Sequence, residues 1–388
     1  MFSIENFYYI LHQHLLKPLG LQDTMFLTFG STKSTDIYRG RYSQNHNRYG
    51  KVIAAVNSCY YFDQEPVQSL PMTDLMMWSD TKHFKMLANS ESSQLKKDLC
   101  QEHQCQDWYY FFHGFAALYW YQEGRYFDQR TDWSRPYITL NRLHTNDRSY
   151  RLNLVARLAN QHLLDRGHVS LHLGHTEYGT WQQELANPYT CLSGVARELI
   201  AQHLGPPLTL DCEISTGSLS ADFGPQVFEL WKSGLWHIVT ETVFYHNKLH
   251  LTEKIFKPIV AQRPFMLAAA PGNLAYLKSY GFQTFDRWID ESYDSIQDPD
   301  QRLQAIVDQT SRMCAMSDAQ LRQMHQEMQP VLQHNFDHLW TTFRHRIVNE
   351  LVDNFERSVR IWNNGRVDGR ELPLQNVDLA RVKEILLR

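Results

Sequence analysis

Two rhythms of apolar and polar positions run along this chain. Residues 4–17 repeat apolar side chains at helical spacing and are closed by Pro18 and Gly20, which predicts a first helix. Residues 22–50, rich in Gly, Ser, Asn and Thr, predict a loop. "KVIAAVNSCYYFDQEP" follows, and its apolar run stops at Asp63-Gln64-Glu65-Pro66, the signature of a strand end. "FKMLANSESSQLKKDLCQEH" predicts a short strand, a Ser/Asn turn and a helix. "DWYYFFHGFAALYWY" continues the apolar pattern, with a break expected at Gly114, just after His113.

Residues 124–136 are polar and end in proline, a candidate linker. Beyond it, strand-like and helix-like segments alternate. "YITLN" is a strand, and "NDRSYRLNLVARLANQHLL" is a helix with Leu152, Val155, Leu158 and Leu163 near one stripe. "GHVSLHL", "LWHIVTE", "PFMLAAA" and "FQTF" predict further strands, separated by helices at "QVFELWKSG", from about Thr252, and at "GNLAYLKSYG". Such alternation predicts a parallel sheet covered on both faces. The expectation is an α/β protein with two Rossmann-like domains facing a cleft and a helical tail. Residues 1–132 form the first, less regular domain, 133–335 the second, and 336–388 a tail packing back on the first. The tail ends in an amphipathic piece with Leu379, Val382, Ile385 and Leu386 on one side.

Composition narrows the classes. The net charge of −4 and the absence of a Lys/Arg block give no footprint for nucleic acid. No run of about 18 apolar residues occurs, so no membrane span is expected, and the N-terminal segment lacks a signal peptide's basic start. Six scattered cysteines lack a framework spacing and read as reduced thiols of a cytoplasmic protein. "CQEHQC", with Cys100, His103 and Cys105, and "HVSLHLGH", with His168, His172 and His175, are weak metal-like clusters; no metal and no cofactor is expected. Asp298-Pro299-Asp300 reads as a helix cap and turn.

In open parallel sheets, ligands sit at the carboxyl ends of strands. That rule singles out "HLTEKIFKPIV". Thr252 suits an N-cap, and Glu253 then suits the positive end of the helix dipole. Lys254 opposes that dipole and becomes useful if an anion arrives. Pro258 inside the helix predicts a kink or a late start. Ordinary readings stand beside these: a first-turn acid, and a solvated face for Arg148 or Arg151.

The strand ending in Glu241, a polar loop, and Thr252-Glu253-Lys254 resemble the donor-binding motif of α1,3-fucosyltransferases, "FENS" followed by "TEK". Thr242 and Val243 depart from that pattern. The resemblance implies that Glu253 holds a ribose and Lys254 a diphosphate. It also pairs Asn141, at the end of "YITLN", with a diphosphate-binding arginine, either Arg148 or Arg151. In the family's first domain a Glu after a strand is the general base; here that is Glu65, with Asp63 as its rival and Pro66 departing from the motif. Tyr245, His113, Asp290 and Glu291 are further residues expected at the cleft. The segments "DQEP", "HGF", "NR…R", "TEK" and "GF.TF…DESYD" resemble those of proteins encoded by tailed phages, whose setting would be the host-cell cytoplasm. The implied function is an inverting glycosyltransferase of GT-B type. It would move a fucose-like sugar from a GDP-sugar to a glycan or other hydroxyl acceptor. A binding protein on the same fold and an exostosin-like transferase using a UDP-sugar remain the alternatives.

Overall fold

A computed structural model describes residues 4–21, 25–29, 58–63, 84–102, 104–128, 132–171, 174–175, 179–205, 208, 223–365 and 371–388. The protein is α/β and divides into two compact units, residues 1–119 with 341–388, and residues 120–340. No described helix is long and apolar enough to cross a membrane.

Unit 1 holds a four-stranded parallel sheet in sequential order: β1 (Met25–Phe29), β2 (Ser58–Asp63), β3 (Phe84–Asn89) and β4 (Gln106–Tyr109). β1 lies in the stretch expected to be loop. Its run "MFLTF" is nearly all apolar, as strands of parallel sheets commonly are. α1 (Phe7–Leu11) inserts Phe7 against Tyr110, Phe112 and Phe115. After α2 (Gln94–Glu102) and β4 comes α3 (Phe112–Trp120). Gly114 does not break this segment: it sits within α3, where a Cβ would meet the Phe343 ring at 3.0 Å. Its smallness serves close packing, not termination.

The C-terminal helix α12 (Arg344–Asn364) belongs to unit 1. Asn354 and Ser358 donate to the carbonyls of Tyr109 and Asp107 at 3.1 and 2.7 Å. Four helical residues rise about 6 Å and two strand residues span about 6.6 Å, so helix and strand run in matched register. Trp108, fully buried, donates its Nε1–H to the Leu351 carbonyl at 2.9 Å.

Unit 2 is built on a second parallel sheet of β5 (Arg135–Asn141), β6 (Gly167–Leu171), β7 (Gly234–Thr240) and β8 (Phe265–Ala268), in the order β8-β7-β5-β6. The chain lays β5, adds β6 on one side, then returns to place β7 and β8 on the other. A topological switch point therefore lies between the carboxyl ends of β5 and β7. All seven residues of β7 are buried, as in a strand covered on both faces. The helices are α4 (Tyr150–Asn160), α5 (Trp181–Ala186), α6 (Gly194–His203), α7 (Pro225–Ser233), α8 (Phe256–Val260), α9 (Asn273–Ser279), α10 (Pro299–Ala315) and α11 (Asp318–His338). A last helix, α13 (Leu379–Leu387), closes the chain in unit 1 and buries Val382 and Leu386.

α4 ends at Asn160, so Leu163 lies beyond it. "FQTF" is not a strand. Its backbone is satisfied by side chains instead: Gln283 N–H donates to Asn335 at 2.8 Å, and Phe285 N–H to Glu291 at 2.7 Å. Asp298 caps α10 with Pro299 in its first turn, and Asp300 pairs with Arg157 at 3.0 Å.

Glycines at the starts of β6 and β7 let both neighbours approach β5. A Cβ on Gly234 would lie 2.5 Å from Cβ of Ile138 and 2.8 Å from its amide nitrogen. We expect Gly234→Ala to destabilise unit 2 by about 1–3 kcal/mol through overpacking. Urea denaturation followed by tryptophan fluorescence would detect this; an unchanged midpoint would contradict the close approach.

Candidate functional site

The candidate site lies on unit 2, at the carboxyl ends of β5 and β7. Both strands stop there and their loops diverge, which leaves backbone carbonyls without sheet partners. Arg151, on the first turn of α4, fills that need. Its Nη1 donates to the Leu143 carbonyl at 2.8 Å, and its Nη2 to those of Thr240 and Glu241 at 2.9 and 3.1 Å. The Tyr150 hydroxyl donates to the Glu241 carbonyl at 2.6 Å and to that of Ala268 at 3.2 Å. Arg151 is 3% exposed, and burial lowers its pKa. Of the two arginines the sequence left open, Arg151 is spent on the backbone. Arg148 ends the short turn before α4 and is half-buried. It stands within electrostatic reach of Arg151 and Tyr150.

Glu241, just past β7, is fully buried. Its Oε2 accepts from the Thr252 hydroxyl at 2.5 Å and from the Thr252 amide at 3.2 Å. Among the described residues its Oε1 has no hydrogen-bond partner. Thr252 is the expected N-cap, accepting from the Lys254 amide at 3.4 Å. The helix it caps starts late. Glu253–Ile255 form a 3-10 turn, and only Phe256–Val260 are α-helical, with Pro258 inside. So short a helix has little dipole, and the expected helix-end anion site loses most of its force.

Lys254 also has a local role. Its ammonium meets Glu253 Oε1 at 3.2 Å and the Thr252 hydroxyl at 3.0 Å. The Glu253 side chain is only 5% exposed, and a carboxylate so buried needs a cationic partner. Lys254 therefore has a reason to be where it is without any ligand.

Lys257, which nothing in the local sequence singles out, lacks such a reason. It sits one turn beyond in "IFKPIV", half-buried, with its ammonium 5.3 Å from the centre of the Trp231 ring. Among the described residues its ammonium makes no hydrogen bond or ion pair. Burial pushes its pKa down to about 8; Glu253 and Glu241 oppose that shift, while Lys254 and Arg151 add to it. Tyr121 borders the same acids, and burial together with Glu253 and Glu241 holds its phenol well above the ordinary value. Arg148, Arg151, Lys254 and Lys257 thus form a chain of cations around two buried carboxylates.

Asn141 ends β5 with its amide donating to Thr139 and to the Ser170 carbonyl at 3.3 and 3.2 Å. Its Oδ1 has no hydrogen-bond partner among the described residues. Tyr245 shares a 3.2 Å hydrogen bond with Ser149, and burial raises its pKa. The loop carrying it is pinned by Phe244, which stacks on Tyr150 at 4.1 Å. The next residue, His246, faces Asp147 at 3.5 Å, and Cys191 closes a group whose ligand atoms all lie within 4.8 Å of one another. Asp147 and Cys191 push the His246 pKa up to about 9.

Other expected residues are placed elsewhere. Asp290 caps the turn Glu291–Ser295, accepting from Ser292 N–H at 2.9 Å. Glu291 is consumed by Thr284, Phe285 and Lys278, at 2.7, 2.7 and 3.0 Å. Asp294 caps α9 through the amides of Leu274 and Ala275. "DESYD" is a knot of backbone caps. His113 is buried on α3 in unit 1, edge-on to Phe112. Asp63 is the last residue of β2; Glu65 lies outside the described residues. Of the metal-like clusters, His103, His172 and the side chain of His175 lie outside them too. Cys100 and Cys105 are buried, and contact with Cys105 pushes the Cys100 thiol up. His168 bonds Ser134 at 2.8 Å.

The role of Arg151 can be tested in the laboratory. Arg151→Ala, which orphans three buried carbonyl contacts, is expected to cost about 3 kcal/mol or more in denaturation. A loss below about 1 kcal/mol would contradict the assignment. Compared with known protein families, with curated proteins and with solved structures, the chain finds no match.

Proposed function

We propose that unit 2 binds the diphosphate of a nucleotide-sugar and that the protein is an inverting glycosyltransferase with two Rossmann-like domains of GT-B type. The observation that carries this reading is Lys257. A half-buried lysine whose ammonium, among the described residues, has only an aromatic face beside it, flanked by Lys254 and Arg151, is matched by an anionic ligand. A diphosphate leaving group gains charge as the glycosidic bond breaks, and fixed cations in a partly desolvated site stabilise that charge. Glu253 would accept from sugar or ribose hydroxyls, as acids do in dinucleotide sites. Glu65, with Asp63 as its rival, is the general base of this reading, taking the proton of the acceptor hydroxyl as its oxygen attacks the anomeric carbon. A GDP-sugar rests on the resemblance of Thr252-Glu253-Lys254 alone, and a UDP-sugar is the nearest variant.

A second reading, a nucleotide- or carbohydrate-binding protein without transferase activity, is favoured by one observation. Val243, where the resembled motif carries a polar residue, is fully buried.

Calorimetric titration with GDP, UDP and their sugars tests the donor site. Binding of at least one is expected, weakened tenfold or more in Lys257→Met. No binding to any overturns the reading, and unchanged binding in Lys257→Met removes Lys257 from it. Turnover of the bound sugar, lost in Glu65→Gln, would separate the enzyme from the binding protein.

The affinity should also depend on pH. The anion binds the protonated lysine, so affinity holds below about pH 8 and falls as pH rises through the Lys257 pKa, by up to about tenfold per unit. The groups facing Lys257 are Glu253, Lys254, Glu241 and Arg151. His246 titrates in the same range, so Lys257→Arg is the control: it should flatten the profile. A slope that survives in Lys257→Arg would assign the titration elsewhere.

A further inference from the structure

We propose that Asp147, Cys191 and His246 form a zinc-binding site with an open fourth position. The three residues come from three separate loops of unit 2. Asp147 lies in the turn between β5 and α4, Cys191 in the segment between α5 and α6, and His246 in the loop after β7. Folding brings one carboxylate oxygen, one thiol sulfur and one imidazole nitrogen to within 4.8 Å of one another.

The donor set decides the metal. Thiolate, imidazole and carboxylate together suit Zn2+, whereas the thiol disfavours Mg2+ and Ca2+. Zinc bonds of about 2.0–2.3 Å place the corners of a tetrahedron about 3.3–3.8 Å apart. His246 Nε2 and Asp147 Oδ1 are already 3.5 Å apart. Cys191 is exposed, so its side chain is free to rotate toward the other two. That exposure leaves the fourth position to water or to a ligand, as in zinc sites with three protein ligands. A deprotonated thiol and a carboxylate balance the charge of the ion. Arg148 and Lys248, both within reach of Asp147, work against it and limit the affinity.

A plain surface ion pair would need only Asp147 and His246. Cys191 is the surplus member, and it distinguishes the two descriptions. The site stands at the carboxyl edge of the same sheet as the cations, yet it shares none of their side chains. It is therefore separable from the nucleotide reading.

The test uses the full chain, stripped of metal and kept reduced, and titrated with Co2+. The expected result is one equivalent bound per chain, with a thiolate-to-cobalt charge-transfer band and visible bands of tetrahedral strength, both bleached by Zn2+. Cys191→Ser should abolish the charge-transfer band, and His246→Ala and Asp147→Ala should each weaken binding tenfold or more, with unchanged circular dichroism. In the parent protein, Zn2+ should slow alkylation of Cys191 by iodoacetamide, read by mass spectrometry, which needs no variant to fold. Absence of the band, its persistence in Cys191→Ser, or its loss in Cys105→Ser instead would overturn the proposal. So would Cys191 alkylation that Zn2+ leaves unchanged.

Discussion

Unit 2 depends on the way one buried guanidinium closes a gap that its topology creates. Where β5 and β7 end and their loops part, three carbonyls face inward, and Arg151 takes all of them. Tyr150, the preceding residue, adds two more bonds, to the Glu241 and Ala268 carbonyls, and stacks its ring on Phe244. The first turn of α4 is thereby fastened to the loop after β7, and everything carried by that loop inherits its position. The usual place for a ligand in an open parallel sheet is bordered here by polar contacts within the protein.

From that anchor a second chain of contacts runs outward. Glu241 accepts from Thr252, Thr252 accepts from Lys254, and Lys254 neutralises Glu253. Each link accounts for the next, and each is local. The chain stops at Lys257. Its ammonium lies in the field of all these groups without a bonded partner of its own among the described residues. A site reveals itself more clearly by the charge its own fold leaves unanswered than by the charges it has already paired.

How much of this was legible in the sequence varied with the kind of signal. The strands of unit 2 were readable because parallel strands buried on both faces form continuous apolar runs bounded by polar turns. "FQTF" failed on the same rule: it is apolar because it is buried, yet Asn335 and Glu291 supply the bonds a sheet would have given. β1 was hidden by the polar residues around its five. Gly114 was misread because glycine serves both as a breaker and as a point of close contact, and only Phe343 decides between them. At the site, Thr252 and the late helix start followed from local chemistry. Lys257 was missed because "IFKPIV" reads as core, and a lysine stem packs there as well as an aliphatic chain does. Asp147, Cys191 and His246 have no local spacing to recognise. Only the return of the chain to the other side of β5 joins them.

The membership of α12 in unit 1 has a consequence for the order in which the chain matures. Synthesis runs from the N-terminus, so all of residues 120–340 leave the ribosome before α12 exists. Until then β4 lacks the partners that Asn354, Ser358 and Leu351 later provide, and it closes one side of its sheet among the described strands. An uncovered strand edge invites pairing with another chain. Unit 2 is continuous in sequence and meets no such delay. Unit 1, begun before unit 2, is therefore finished after it, and β4 stays open to misassociation while residues 110–343 are made.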